Sequence, residues 1–156
     1  MTQTPPRVSE LPALLREVRT CFNQLKALTE RLHQDLGVNP SMRAVMESLA
    51  ATPGQTVPEI ARSKGVSRQH IQSVMNGLLD EDLVATRENP AHKRSPQFEL
   101  TRRGRAIFTT IAGREEAPLE RLAAALPGPA LRQARSTLAS LNAELAKEIS
   151  IGEANP

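Results

Sequence analysis

Apolar residues recur every three or four positions through Leu11, Leu15, Val18, Phe22, Leu25, Leu28, Leu32 and Leu36. This spacing predicts a long amphipathic helix over 10–36, stopped by Gly37. Such a helix is longer than a small domain needs to cover itself. Its surplus apolar face has to meet either the other end of the chain or a second subunit. Residues 1–9, with two prolines among polar residues, predict a flexible arm ahead of it. After Asn39 and Pro40, Ser41 is the expected N-cap of a short helix that turns Val45, Met46 and Leu49 inward.

Thr52, Pro53 and Gly54 break that helix. Thr56 then stands three residues ahead of Glu59, the capping-box spacing, and Pro58 falls in the first turn, where its missing N–H is harmless. The short helix PEIARSK follows. Gly65 supplies a tight turn with Val66 packed beneath it, and Ser67 caps a further helix from Arg68 to about Glu81. On that helix Ile71, Val74, Met75, Leu78 and Leu79 share one face, and Gln69, Gln72, Ser73 and Asn76 lie opposite. These four side chains are short, polar and uncharged. They both donate and accept hydrogen bonds, as reading base edges in a DNA major groove requires. Arg68 can reach a guanine or a phosphate near the helix start, and His70 can touch the backbone there. Asp80, Glu81 and Asp82 oppose the macrodipole at the other end and repel phosphates, so the N-terminal end is the one that enters.

Leu83 to Arg87 and Gln97 to Leu100 read as the strands of a hairpin joined by Glu88 to Pro96. Pro90 and Pro96 stiffen the loop, and His92, Lys93 and Arg94 form its basic tip. A rigid loop carrying an arginine suits a narrow minor groove, where negative potential is concentrated. Thr101 is the expected cap of the next helix, and Arg102, Arg103 and Arg105 serve there either as phosphate contacts or as solvated charges. Ile107, Phe108, Ile111, Leu119, Leu122 and Leu126 carry an apolar stripe forward, with Pro118 expected to kink or interrupt the helix. Pro127, Gly128 and Pro129 form a hard break. A last helix follows, with Leu131, Ala134, Leu138, Leu141, Leu145 and Ile149 in near-heptad spacing, and residues 152–156 are expected to fray. The layout is mainly α with a small β-hairpin wing: a winged helix-turn-helix over 40–104 between association helices at 10–36 and 105–151.

Net charge adds little by itself, since the 156 residues carry only +3. Its distribution is more telling: residues 55–105 hold nine Lys/Arg against six Asp/Glu, while the flanking segments are balanced. Three Phe with no Trp or Tyr leave the chain without the aromatic platforms on which single-stranded nucleic acids stack. The single Cys21 makes no internal disulfide and reads as a buried, inert helical cysteine. No apolar run is long enough to span a membrane and the first residues lack a signal pattern, so a cytoplasmic location is expected. His33, His70 and His92 show no metal-ligand spacing. No nucleophile–base set, phosphate loop or cofactor motif is recognisable, so neither an enzyme nor a cofactor is expected.

The stretches VPEIARSKGVSRQHIQSVMNGL and LLDEDLVATRENPAHKRSPQFELTRRG, the latter with a Leu-Thr-x-x-Gly pattern at Leu100, Thr101 and Gly104, resemble the multiple-antibiotic-resistance regulator (MarR) family of bacterial transcription factors. The resemblance runs over nearly the full length. It implies a homodimer made by the terminal helices, recognition helices in successive major grooves of double-stranded DNA, and wings in the minor groove. It also implies release of DNA by a small, often aromatic acid bound between the dimerisation helices and the reading domain. Carried over by position, Arg94 matches the wing arginine, and Gln69, Gln72, Ser73 and Asn76 lie on the matching helix face. Two positions depart from the pattern: His92 replaces an acid that often orients the wing arginine, and Asp82 stands where Gly commonly ends the recognition helix. The candidate DNA-binding set is therefore Ser67, Arg68, Gln69, Gln72, Ser73, Asn76, Arg87, Lys93 and Arg94. The expected function is that of a ligand-responsive repressor on a pseudo-palindromic operator. A winged-helix interaction module without DNA binding is the alternative.

Overall fold

The computed structural model describes residues 6–153. Six helices and one hairpin follow in the order α1 (Pro6–His33), α2 (Pro40–Ala51), α3 (Val57–Lys64), α4 (Arg68–Asp80), β1 (Val84–Arg87), β2 (Gln97–Leu100), α5 (Arg102–Ala124) and α6 (Gly128–Glu153). Against the arm expected over 1–9, the backbone is already helical at Pro6, because a proline in the first turn gives up no helical donor. Residues 1–5 lie outside the described residues, as do 154–156 of the expected frayed tail. At its far end α1 stops at His33, short of Gly37.

The caps decide where the short helices begin. Asn39, not Ser41, caps α2: its Oδ1 accepts the Met42 N–H at 2.9 Å, and Pro40 takes the first helical position. At α3 the expected box is present, with the Glu59 carboxylate accepting from both the Thr56 N–H and the Thr56 hydroxyl at 2.7 Å. These donors, the backbone one first, hold the Glu59 carboxyl below its usual range. Gly65 ends α3 at φ +64, a left-handed conformation that costs glycine nothing. Val66 turns outward from this turn instead of packing beneath it and is 41% exposed. Ser67 caps α4 by accepting from the His70 N–H at 3.1 Å.

The core lies between α2, α3, α4 and the hairpin. Met46, Leu49, Ile60, Ile71, Met75, Leu78 and Leu83 are its largest buried members, closed by Phe98 and Leu100 from β2 and by Ile111 from α5. The strands pair antiparallel, with Val84 opposite Leu100 and Arg87 opposite Gln97. A short bridge adds a third edge: Phe98 donates its N–H to the Gln55 carbonyl and accepts the Gly54 N–H, both at 2.9 Å. Nothing in the composition of the segment before Thr56 suggested this pairing.

The turn from α4 into β1 passes through Asp82 at φ +55, the left-handed conformation that its short carboxylate side chain tolerates better than most. The start of α5 holds that turn closed. Thr101 donates its hydroxyl to the Asp82 carbonyl at 2.7 Å and its N–H to the Leu83 carbonyl at 3.1 Å. Its Oγ1 also accepts the Gly104 N–H at 2.9 Å, so one threonine caps α5 and fastens it to the α4–β1 corner. Helix α5 then runs unbroken through Pro118. The proline removes one helical donor, but the helix turns that flank it keep the path.

The long helices leave much apolar surface uncovered. Phe22 and Leu25 of α1, Leu119, Leu122 and Leu126 of α5 and its end, and Leu131, Leu138, Leu145 and Ile149 of α6 are all exposed. No described helix is long and apolar enough to cross a membrane.

Candidate nucleic-acid interface

The reading helix presents two faces as its periodicity demands. Ile71, Val74, Met75 and Leu78 are buried, whereas Arg68, Gln69, Gln72, Ser73 and Asn76 are exposed. Leu79 was expected on the buried face, but at 36% exposure it sits at the boundary, rotated toward solvent where the helix ends. Gln72 donates its amide to Asn76 Oδ1 at 3.0 Å, so two of the candidate base-reading groups are held side by side one turn apart. The N-terminal end of α4, with its free backbone N–H groups and Ser67 at the cap, points the positive end of the helix dipole outward with Arg68.

The wing comes to this same end. Arg68, Gln69 and Gln72 line one concavity with Arg94, Ser95 and Pro96, so residues more than twenty positions apart in sequence share a surface. Ser73 and Asn76 extend the polar face along α4 beyond it. Lys93 lies on the wing's other flank, beside Thr86, Arg87 and Glu88. Arg87 is already engaged: it donates to Glu99 Oε2 at 3.2 Å on the neighbouring strand. Exposed pairs of this kind hold weakly, and a phosphate can replace the carboxylate.

The three arginines at the start of α5 divide. Arg103 donates to the Glu81 carbonyl at 2.8 Å and Arg105 to the Leu100 carbonyl at 2.5 Å, where they complete unsatisfied carbonyls at the ends of α4 and β2. Only Arg102 of the three makes no hydrogen bond or ion pair among the described residues.

Two polar groupings escaped the sequence reading. The first is Asn89 in the wing, one of three buried polar residues among the described residues, whose side-chain amide is tied within the loop. The second joins three helices. Glu115 of α5 accepts from Arg43 Nε of α2 at 2.6 Å, from Arg43 Nη2, and from His33 Nε2 at the end of α1 at 3.0 Å. An ionised carboxylate only accepts, so the imidazole carries its proton on Nε2. Its buried Nδ1 has no partner among the described residues. Burial pushes the Glu115 carboxyl up, but the Arg43 and His33 donors outweigh it and hold the group below its usual range. Beside this cluster Arg114 grips Asp35 with two bonds of 2.5 and 2.8 Å and donates to the Leu32 carbonyl at 2.9 Å. The Arg114 hydrogen bonds bring the Asp35 carboxyl down to about 2.

Cys21 is exposed, contrary to the buried cysteine expected, because its part of α1 faces a shallow groove toward α6 and packs under nothing in this chain. No group of three metal-ligating side chains occurs among the described residues.

With this geometry in place, comparison with known proteins gives concordant results. A family model described as MarR family matches residues 36–95. An uncharacterized protein of Mycobacterium tuberculosis is 38% identical over 91 residues, a match that spans 58% of this chain and 64% of that protein's length. A MarR family transcription regulator of known crystal structure is 30% identical with a TM-score of 0.77, covering 91% of this chain and 96% of the other. The transcriptional repressor CouR, solved bound to a 23-mer DNA duplex, shares the fold at 23% identity and a TM-score of 0.68, covering 94% of this chain and 99% of the other. A winged helix-turn-helix flanked by long terminal helices, a match of the family model to the reading unit, and a near full-length likeness to a regulator of this kind lead to one conclusion: the chain belongs to the MarR family of transcription regulators.

Proposed function

We propose that this chain is a homodimeric repressor that binds a pseudo-palindromic DNA operator and releases it on binding a small aromatic acid. The observation that carries the DNA-binding reading is the shared concavity of Arg68, Gln69 and Gln72 with Arg94. One surface thereby offers base-reading amides for a major groove and a guanidinium for the adjoining minor groove. CouR is a repressor bound to duplex DNA, and its fold is shared here. Ser67, Ser73, Asn76, Arg87 and Lys93 complete the surface, the basic residues as phosphate contacts.

Surface area supports the dimer. The chain exposes 11609 Å², while a compact monomer of 17.0 kDa exposes about 7,700 Å². The excess includes the leucine-rich faces of α1, α5 and α6, and a second copy buries them by a two-fold arrangement. That symmetry sets half-sites roughly 34–36 Å apart, about one turn of DNA. The ligand-response reading rests on a cleft of about 350 Å³ between the terminal helices and the reading unit. Phe22, Leu25, Leu32 and Leu119 give it apolar walls and Lys26 gives it an exposed cation, while Arg43 and Glu115 in the same lining neutralise each other, which suits an aromatic ring bearing one carboxylate directed at Lys26.

Sedimentation of the free protein and of its complex with a duplex selected from a random-sequence library tests the proposal; a monomer on a single half-site would overturn it. Arg94→Ala is expected to weaken the complex about tenfold and to lower the slope of log affinity against log salt by about two, one for the arginine of each subunit. Unchanged affinity in that titration removes the wing from the interface. Gln69→Ala is expected instead to change the selected consensus, and recovery of the same consensus would exclude Gln69 from base reading.

A further inference from the structure

Arg94 makes no hydrogen bond or ion pair among the described residues, and the His92 ring makes none either. The arginine's position is therefore set by the backbone that carries it. That backbone is closed by Asn89, a residue only 8% exposed although it stands in a nine-residue surface loop. Asn89 Nδ2 donates to the Ser95 carbonyl at 2.8 Å, and its Oδ1 accepts the Ala91 N–H at 3.2 Å. Its own carbonyl accepts the His92 N–H at 3.1 Å, and the His92 carbonyl accepts the Ser95 N–H at 2.9 Å. Both amide ends of one side chain thus span the loop from Ala91 to Ser95, the residue that follows Arg94.

We propose that Asn89 is the positioning residue for Arg94, holding the wing tip by its buried amide so that the whole guanidinium stays free for DNA. The proposal rests on the reading of Arg94 as the wing's DNA contact. Asparagine suits the position because it donates and accepts at once; aspartate could take the Ala91 N–H but could not donate to Ser95. A buried amide also enforces the closed loop, since opening it without water to replace both bonds leaves polar atoms unpaired. An arginine oriented by a neighbouring carboxylate spends donors on that pair, whereas here all five N–H groups remain for phosphate and base edges.

The test uses the full-length protein and a duplex selected by it from a random library, with affinity and hydroxyl-radical protection measured for Asn89→Ala, Arg94→Ala and the double variant. Expected is a loss of about tenfold for Asn89→Ala, close to that for Arg94→Ala, with the double variant no weaker than Arg94→Ala alone. Minor-groove protection at the operator flanks should disappear in all three, while the major-groove consensus stays the same. Adding His92→Asp to Asn89→Ala should restore part of the flank protection, because a carboxylate two residues away can hold Arg94 in place of the loop. A purely structural role predicts no such rescue. Losses that add in the double variant, or full protection in Asn89→Ala, overturn the positioning role while leaving Arg94 as a contact. Unchanged binding by Arg94→Ala overturns the contact and the positioning role together. Thermal unfolding of each variant reports whether the core is retained.

Discussion

Glu115→Ala is expected to lower the unfolding free energy by about 3 kcal/mol, the low end of the cost of removing one partner from a buried ion pair. The low end applies because the Arg43 side chain keeps 24% of its exposure and can recover some hydration. The substitution leaves Arg43 with only its exposed pair to Glu47 at 3.1 Å and leaves the His33 imidazole, which is fully buried, without the one hydrogen bond it makes among the described residues. Urea unfolding measures the change, and a loss below about 1 kcal/mol would mean that the cluster does not hold the three helices together. The same carboxylate predicts a pH dependence. Its folded-state pKa lies below the unfolded value, so its contribution is complete above about pH 4.5 and fades as pH falls through the folded value. Wild type should therefore lose stability relative to Glu115→Gln across that acidic window and not above it.

Gly104→Ala is expected to cost about 3 kcal/mol or more, through a clash that no rotamer relieves. A Cβ built there meets the Leu83 carbonyl oxygen at 1.9 Å and its carbonyl carbon at 2.9 Å. Both are backbone atoms, and the oxygen accepts the Thr101 N–H that fastens α5 to the corner before β1. Helix α5 must move away, and the cap, the corner and the base of the wing move with it. Gly77→Ala is the control: its new methyl meets the Met42 Cε at 2.7 Å, the tip of a flexible side chain that can turn aside. Equal unfolding midpoints for the two variants would remove the close approach at Gly104 as the reason for glycine in the Leu-Thr-x-x-Gly pattern.

Much of the local structure was legible because it is made by residues close in sequence. Glu59 lies three residues from Thr56, Ser67 three from the His70 N–H, and Thr101 three from the Gly104 N–H, so each cap is a local event. The buried stripe of α4 follows from helical periodicity in the same way. Where the reading failed, two local candidates competed or a distant surface decided. Asn39 and Ser41 can both cap a helix, and Pro40 settles the choice for Asn39 because a proline fits the first helical position. Cys21 carries no local mark of burial or exposure, and its outcome depends on how α6 lies along α1. The cluster of His33, Arg43 and Glu115 has no motif, since its members come from three helices and meet only after those helices pack.

The sequence by itself determined the helices, their caps, the hairpin and the polar face of α4, because hydrophobic periodicity and capping act over one or two turns. It also contained the basic tip with Arg94 and the charge excess of the middle segment. Only the tertiary structure decided which of these groups act together. The fold set the wing tip and the start of α4 around one concavity, so that Arg94 lines it together with Arg68, Gln69 and Gln72. Closure of the loop buried Asn89 and put it in control of the tip. Convergence of α1, α2 and α5 made an ion cluster from separate charges. The physical reason is the same in each case: burial and ion pairing depend on distances between elements, and those distances are set when the core excludes water, after the local patterns have formed the elements themselves.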